Sequence, residues 1–267
     1  MADLEHAKNL ASFVRLSEDI ENPKADSQKI NSRAHHKDHM LRNGVLLSET
    51  VTPVLEKRLL SVCNVLEIPR RNVTAFVYNS ADIQADCLID TAETCVLRFT
   101  SGLVNLMNEK EFQFVIGHEL GHFLLGHGAC LQNTSEGSSE DYMRKRAAEL
   151  SADRIGFLSI GSSEESVQAI IKIASGLSDQ FLRFDVSGFL SQIDMISNSS
   201  PGESKNNTHP SMLIRCRSLL WFSMSIQSLD DVVKSNEPKI RGVDARVTKD
   251  LEKFVDGQIR LKKIELK

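Results

Sequence analysis

The stretch Val115-Ile116-Gly117-His118-Glu119-Leu120-Gly121-His122-Phe123 decides how the rest of this chain is read. Two imidazoles four residues apart on a helix lie one turn above each other, about 6 Å apart along the axis, on one face. From that face two nitrogens reach a single zinc ion. Glu119 is rotated by about 100° around the helix, so it sits beside the metal and need not bind it. His-Glu-x-x-His is the arrangement of a zinc peptidase, in which the glutamate takes a proton from zinc-bound water. The ordinary alternative is a buried amphipathic helix with two hydrogen-bonded histidines.

The flanks strengthen the metal reading. Asn108 followed by Glu111 predicts a helix N-terminus of capping-box type, and Gly126 or Gly128 ends the same helix. Phe112, Ile116, Leu120, Phe123 and Leu124 share one face, opposite His118 and His122. The expected helix therefore buries one side and offers the other to a metal. Gly117 and Gly121 weaken it by about 1 kcal/mol each relative to alanine. Close approach of another backbone accounts for them, and so does mere tolerance. His127, five residues past His122, falls off the zinc face of a straight helix and reads as a helix-end residue.

A catalytic zinc keeps three protein ligands and one open position, so a third ligand must come from elsewhere. Glu149, in Arg146-Ala147-Ala148-Glu149-Leu150-Ser151-Ala152-Asp153, is the best candidate. It lies far enough past His122 for a connection and a return helix. Ala147, Ala148, Ser151 and Ala152 would let that helix come close. Asp153, one turn beyond Glu149, is placed to accept a hydrogen bond from a ligand histidine and fix its tautomer. A solvated Glu and Asp at i, i+4 is the plain alternative. Further on, Pro210 suits the first turn of a helix running to about Phe222, with His209 at its entrance and Arg215 one to two turns in. A histidine before a proline is often only a cap.

Taken together and in order, residues 48 to 222 resemble the HtpX-like and CAAX-prenyl-protease-like zinc metallopeptidases, within the gluzincins. The residues that carry the resemblance are a helix from Glu49 to Glu67, a strand near Val73 to Tyr78, Thr100-Ser101-Gly102-Leu103, Asn108 to Glu111, His118-Glu119-x-x-His122, Glu149-x-x-x-Asp153, and His209-Pro210 with Arg215. The resemblance implies an α+β, mainly helical domain with a small antiparallel or mixed sheet over the active-site helix. It implies one zinc ion per chain, held by His118, His122 and Glu149, with Glu119 as general base. Asp153 would orient a ligand, and His209, with Arg215, would stabilise the transition state. The chain departs from the pattern at Gln84 to Ile89, where family members often carry an Asn-Ala-Phe-like segment. It departs again in lacking the membrane spans of many members.

Composition bounds the rest. The chain of 267 residues is long enough for one catalytic domain with a large core. The expected plan is an N-terminal extension over 1–44, a peptidase domain over 45–230 and a helical C-terminal extension over 231–267. No run of about 20 apolar residues occurs, so no membrane span is expected. Met1 to His6 lacks the character of a signal peptide. Five scattered cysteines, Cys63, Cys87, Cys95, Cys130 and Cys216, suit free thiols in a reducing compartment. A net charge of −4 with both signs interspersed argues against a nucleic-acid partner. A cytoplasmic protein is expected. His35, His36 and His39 cluster in a polar stretch that reads better as linker than as metal site. Helices are further expected over residues 1–20 and from Val243 to Ile264.

The sequence thus predicts a zinc endopeptidase acting on peptide or unfolded protein. Its substrate would lie extended along an exposed edge strand around Cys95 to Phe99. Two other readings compete. One is a latent peptidase gated by its terminal extensions or by a partner. The other is a zinc-stabilised protein that binds peptides without cutting them, for which Glu119 would have no purpose.

Overall fold

In the computed structural model, which describes residues 4–16, 37–127, 139–195, 210–226 and 237–251, the principal elements follow one another in a mainly helical chain. They are α1 (Leu4–Ser12), β1 (Val45–Leu46), α2 (Pro53–Val65), β2 (Val73–Tyr78), β3 (Ala85–Ile89), β4 (Cys95–Thr100), α3 (Ser101–Leu106), α4 (Glu109–Leu124), α5 (Ser139–Ile160), α6 (Ser163–Ser175), α7 (Val186–Leu190), α8 (Gln192–Met195), α9 (Met212–Ser223) and α10 (Glu237–Leu251). The four strands form one mixed sheet in the order β1-β2-β4-β3. β2 and β4 are parallel, whereas β1–β2 and β3–β4 are antiparallel. The architecture is the α+β, mainly helical one expected.

Strand order overturns one expectation. Cys95 to Phe99 is not an edge: β4 is paired on both sides, with β2 and with β3. Its residues are buried except Arg98, as a strand enclosed between two others requires. The free edge beside α4 belongs to β3, whose residues are all half-buried.

α4 starts where its capping box dictates. Asn108 Oδ1 accepts from the Glu111 backbone N–H at 3.0 Å, and Glu111 Oε2 accepts from the Asn108 N–H at 2.8 Å. The same Glu111 oxygen takes a hydrogen bond from Lys172 Nζ at 2.7 Å, which ties α6 to the start of α4 inside the core. A carboxylate in the first turn also complements the positive end of the helix dipole.

The helix is buried almost all round, contrary to the one-sided burial expected. Gln113, Phe114 and Val115 are enclosed along with the apolar stripe. The cause lies in Gly117 and Gly121. A Cβ at Gly117 would stand 3.1 Å from Gly156 Cα, and one at Gly121 would stand 3.1 Å from Ala152 Cα. Without those two side chains α5 packs along α4 backbone to backbone, in the most extensive helix pairing of the fold. On its other side α4 meets β3, and Phe112 packs edge-on to Phe99 of β4 at 5.0 Å. Helix α4 is thus the axis of the core.

Other boundaries shift modestly. α2 is shorter than Glu49 to Glu67, and α10 starts earlier than Val243; residues beyond 251 lie outside those described. α9 begins after Pro210, with Ser211 at its N-cap, so the proline precedes the helix instead of opening it. His209, Cys130, His35 and His36 also lie outside the described residues. Cys63, Cys87, Cys95 and Cys216 are free thiols, and burial pushes Cys63 and Cys216 up to about 12. No helix among the described residues is long and apolar enough to cross a membrane.

Candidate metal centre

His118 and His122 project from α4 and Glu149 from α5, and one ligand atom from each lies within 4.8 Å of the others. No other group of three or more potential ligands forms among the described residues; His39 is exposed and apart. The two Nε2 atoms are 3.2 Å apart. Glu149 Oε2 is 3.5 Å from His118 Nε2, and its Oε1 is 3.4 Å from His122 Nε2. Ligand atoms around a tetrahedral zinc with bonds of about 2.0–2.1 Å stand about 3.3–3.4 Å apart. The three separations match that spacing.

The outer nitrogens explain why these inner ones face one another. His118 Nδ1 lies 3.0 Å from Asp153 Oδ1, and His122 Nδ1 lies 2.8 Å from His127 Nδ1. With each Nδ1–H donated outward, both Nε2 lone pairs point at the Glu149 carboxylate. Three electron-rich atoms converging in a buried place need a cation between them, a metal or a proton. Two neutral imidazoles and one carboxylate are the donor set that zinc takes in catalytic sites. The residues fit the ion.

The metal-free charge pattern follows from the same contacts. Burial alone would lower His118, but hydrogen bonds with Asp153 and Glu149 outweigh it and lift the imidazole to about 10. His122 goes the other way, held well below its ordinary value chiefly by burial. Glu119 is pushed up to about 7, first by burial and then by Glu149 and Asp86, with His118 opposing. Asp153 resists its own burial because Arg215 stabilises the anion, and it stays below the usual carboxylate range.

Arg215 reaches the centre from α9. Its Nε donates to Asp153 Oδ2 at 2.8 Å and its Nη2 to Asp153 Oδ1 at 2.6 Å, a two-pronged pair. Nη1 is 3.9 Å from Glu149 Oε2. The structure therefore brings His118, Glu119, His122, Glu149, Asp153 and Arg215 together. It commits two of the three Arg215 nitrogens to Asp153.

A cavity of about 320 Å³ opens over the centre. One wall is the edge strand and the residues before it, Ile83 to Asp86; the floor carries His118, Glu119, Glu149 and Arg215; Leu103, Phe114, Val115, Ile173 and Met212 add an apolar side. Reading the sequence missed two participants. Asp86 lines the cavity while paired with Arg98 through two hydrogen bonds of 2.8 and 2.9 Å. His127 touches a ligand histidine. Neither carries a motif of its own.

Comparison with known proteins points to the same class of protein. Residues 51–139 match the model of peptidase family M48. The chain is 40% identical over 73 residues to the metalloprotease LoiP of Escherichia coli (strain K12), covering 27% of each chain. It is 38% identical over 81 residues to metalloprotease YcaL of the same organism, covering 30% of each. It is 25% identical over 210 residues to the chloroplastic plastoglobule-localized metallopeptidase 48 of Arabidopsis thaliana, covering 68% of this chain and 60% of that one. The matches thus span less than a third of either bacterial relative. No solved structure matches. These matches support the resemblance to zinc metallopeptidases of family M48, and with it a zinc-dependent peptidase. The matched family segment includes both histidines and Glu119 but stops before Glu149.

Proposed function

We propose that this chain is a zinc-dependent endopeptidase of gluzincin type, which cuts peptide or unfolded-protein substrates in the cavity above α4. The observation that carries the reading is the convergence of His118 Nε2, His122 Nε2 and Glu149 at separations of 3.2 to 3.5 Å. These three would hold one zinc ion. When bound, the ion supplies a Lewis acid that acidifies water and polarises a carbonyl.

The chain's own residues do the rest. Glu119, buried on the cavity floor and titrating near neutrality without metal, accepts the proton of the attacking water and later delivers it to the leaving amine. Asp153 keeps the hydrogen of His118 on Nδ1, so that Nε2 faces inward, and Arg215 holds Asp153 ionised. This makes Arg215 a positioning residue, acting through Asp153. His209, which lies outside the described residues, comes shortly before the first residue of α9 in the sequence and is assigned the donor to the developing oxyanion. An extended substrate pairs with β3, Ala85–Ile89, the edge that faces α4.

The test is a metal count together with cleavage of a denatured protein pool, read by mass spectrometry with and without a zinc chelator. The expected outcome is one zinc per chain and chelator-sensitive internal cuts, with Glu149→Ala losing the metal. Glu119→Gln should keep the metal and stop cutting. A metal-loaded Glu119→Gln chain that still cuts at the normal rate would refute the mechanism.

A further inference from the structure

We propose that His127 is a positioning residue for the metal centre: it fixes the ring of His122, and the way α4 ends puts it there. This rests on reading His118, His122 and Glu149 as a zinc site. The inner nitrogen of His122 is Nε2, 3.2 Å from His118 Nε2 and 3.4 Å from Glu149 Oε1. To offer a lone pair at Nε2, the ring must carry its hydrogen at Nδ1. That Nδ1 is 2.8 Å from His127 Nδ1, with the two rings 5.0 Å apart and inclined at 70°. His127 Nδ1 therefore accepts, and its own hydrogen sits on Nε2. His118 is held in the same way by Asp153. The two ligand rings thus have different keepers, one a carboxylate and the other an imidazole.

In a straight helix the residue five positions on points about 140° away from His122. The helix does not run straight there. Gly126 adopts φ +72°, which an L side chain resists. Its N–H donates to the Phe123 carbonyl at 3.2 Å, and the His127 N–H donates to the His122 carbonyl at 2.9 Å. These are the two bonds of a Schellman turn, which folds the residue after the glycine back over the last helical turn. In many helices an apolar contact completes such a turn. Here the contact is imidazole on imidazole, and it lands on a ligand. The helix stop and the support of the metal site are one piece of backbone.

Two substitutions separate positioning from packing. His127→Asn places an amide oxygen where Nδ1 now stands and keeps the acceptor. His127→Phe keeps the ring and removes it. Zinc affinity of the full chain is measured by competition with a chromophoric chelator, and the His122 Nδ1–H is followed by ¹⁵N NMR of the zinc-loaded protein. His127→Phe should bind zinc about 10- to 100-fold more weakly and lose the hydrogen-bonded Nδ1–H signal. His127→Asn should keep both close to the unaltered chain. Unaltered zinc affinity in His127→Phe would overturn the inference, as would a weaker site in His127→Asn than in His127→Phe, the order expected if the ring only fills space. No zinc binding by the unaltered chain would overturn the metal reading itself, and this inference with it.

Discussion

Glu119 carries a cost in the metal-free fold, and replacing it should stabilise the apoprotein. Its carboxyl is only 8% exposed and titrates at about 7 instead of 4.5, chiefly because burial penalises the anion. The folded state therefore binds more protons than the unfolded chain between those values. Stability falls as pH rises through that window and levels off above about 7. Keeping the anion buried under those conditions costs about 3 kcal/mol. Glutamine at this position does not ionise, so Glu119→Gln should be more stable than the unaltered chain by up to about 3 kcal/mol at pH 8. At pH 5 the gap should shrink to less than about 1 kcal/mol. Urea unfolding of the chelator-treated proteins at the two pH values measures it. Equal stabilities at pH 8, or a gap that does not change between pH 5 and pH 8, would refute the argument. A residue whose removal stabilises the fold while stopping the reaction is kept for chemistry.

Three further outcomes test the supporting structure. Gly117→Ala gains helix propensity, but its Cβ would meet Ser159 Oγ at 2.3 Å and Ser159 Cβ at 2.8 Å. A net loss of about 1–3 kcal/mol is expected in urea unfolding, partly recovered by adding Ser159→Gly. Arg215→Met leaves the Asp153 anion buried beside His118 without its cation, and should cost about 3–5 kcal/mol; a loss below about 1 kcal/mol would mean that the pair holds nothing together. A chain cut to residues 45–230 should lose cooperative unfolding and bind a hydrophobic dye, because Val14, Leu16, Val247 and Leu251 are all at most 2% exposed in the core.

What could be read from the sequence was local. The capping box, the i, i+4 histidines and the Glu149-to-Asp153 turn each depend on one helix, and a helix has one period. The glycines gave a correct hint of close helix packing, although tolerance explained them equally well until Gly156 and Ala152 were seen against them. What was misread depends on tertiary choices. Cys95–Thr100 is a nearly continuous apolar run, which in retrospect suits an enclosed strand, while the edge role fell to the more polar Ala85–Ile89. The pairing order of strands is not written in either run alone. His127 escaped because a straight-helix projection fails at a left-handed glycine. Arg215 was assigned to the transition state by resemblance, and only the fold shows its fork closed on Asp153.

The terminal segments meet the site through α5, not across the cavity. Neither 4–16 nor 237–251 contributes a residue to the cavity wall. They gather instead on another face of α5. Ser151 Oγ accepts from the Leu16 N–H at 2.9 Å, and the buried Arg154 donates to the Val14 carbonyl at 3.0 Å and to Asp244 Oδ1 at 2.7 Å. Arg154 is the neighbour of Asp153, so one turn of helix holds these two segments on one face and orients His118 on the other. A buried guanidinium is costly to leave unpaired, and removing either segment would strip a partner from it. Contacts of this kind brace the helix that carries Glu149 and Asp153. A plug over the cavity would have to come from elsewhere, and loss of these described segments should weaken the fold before it opens the cleft.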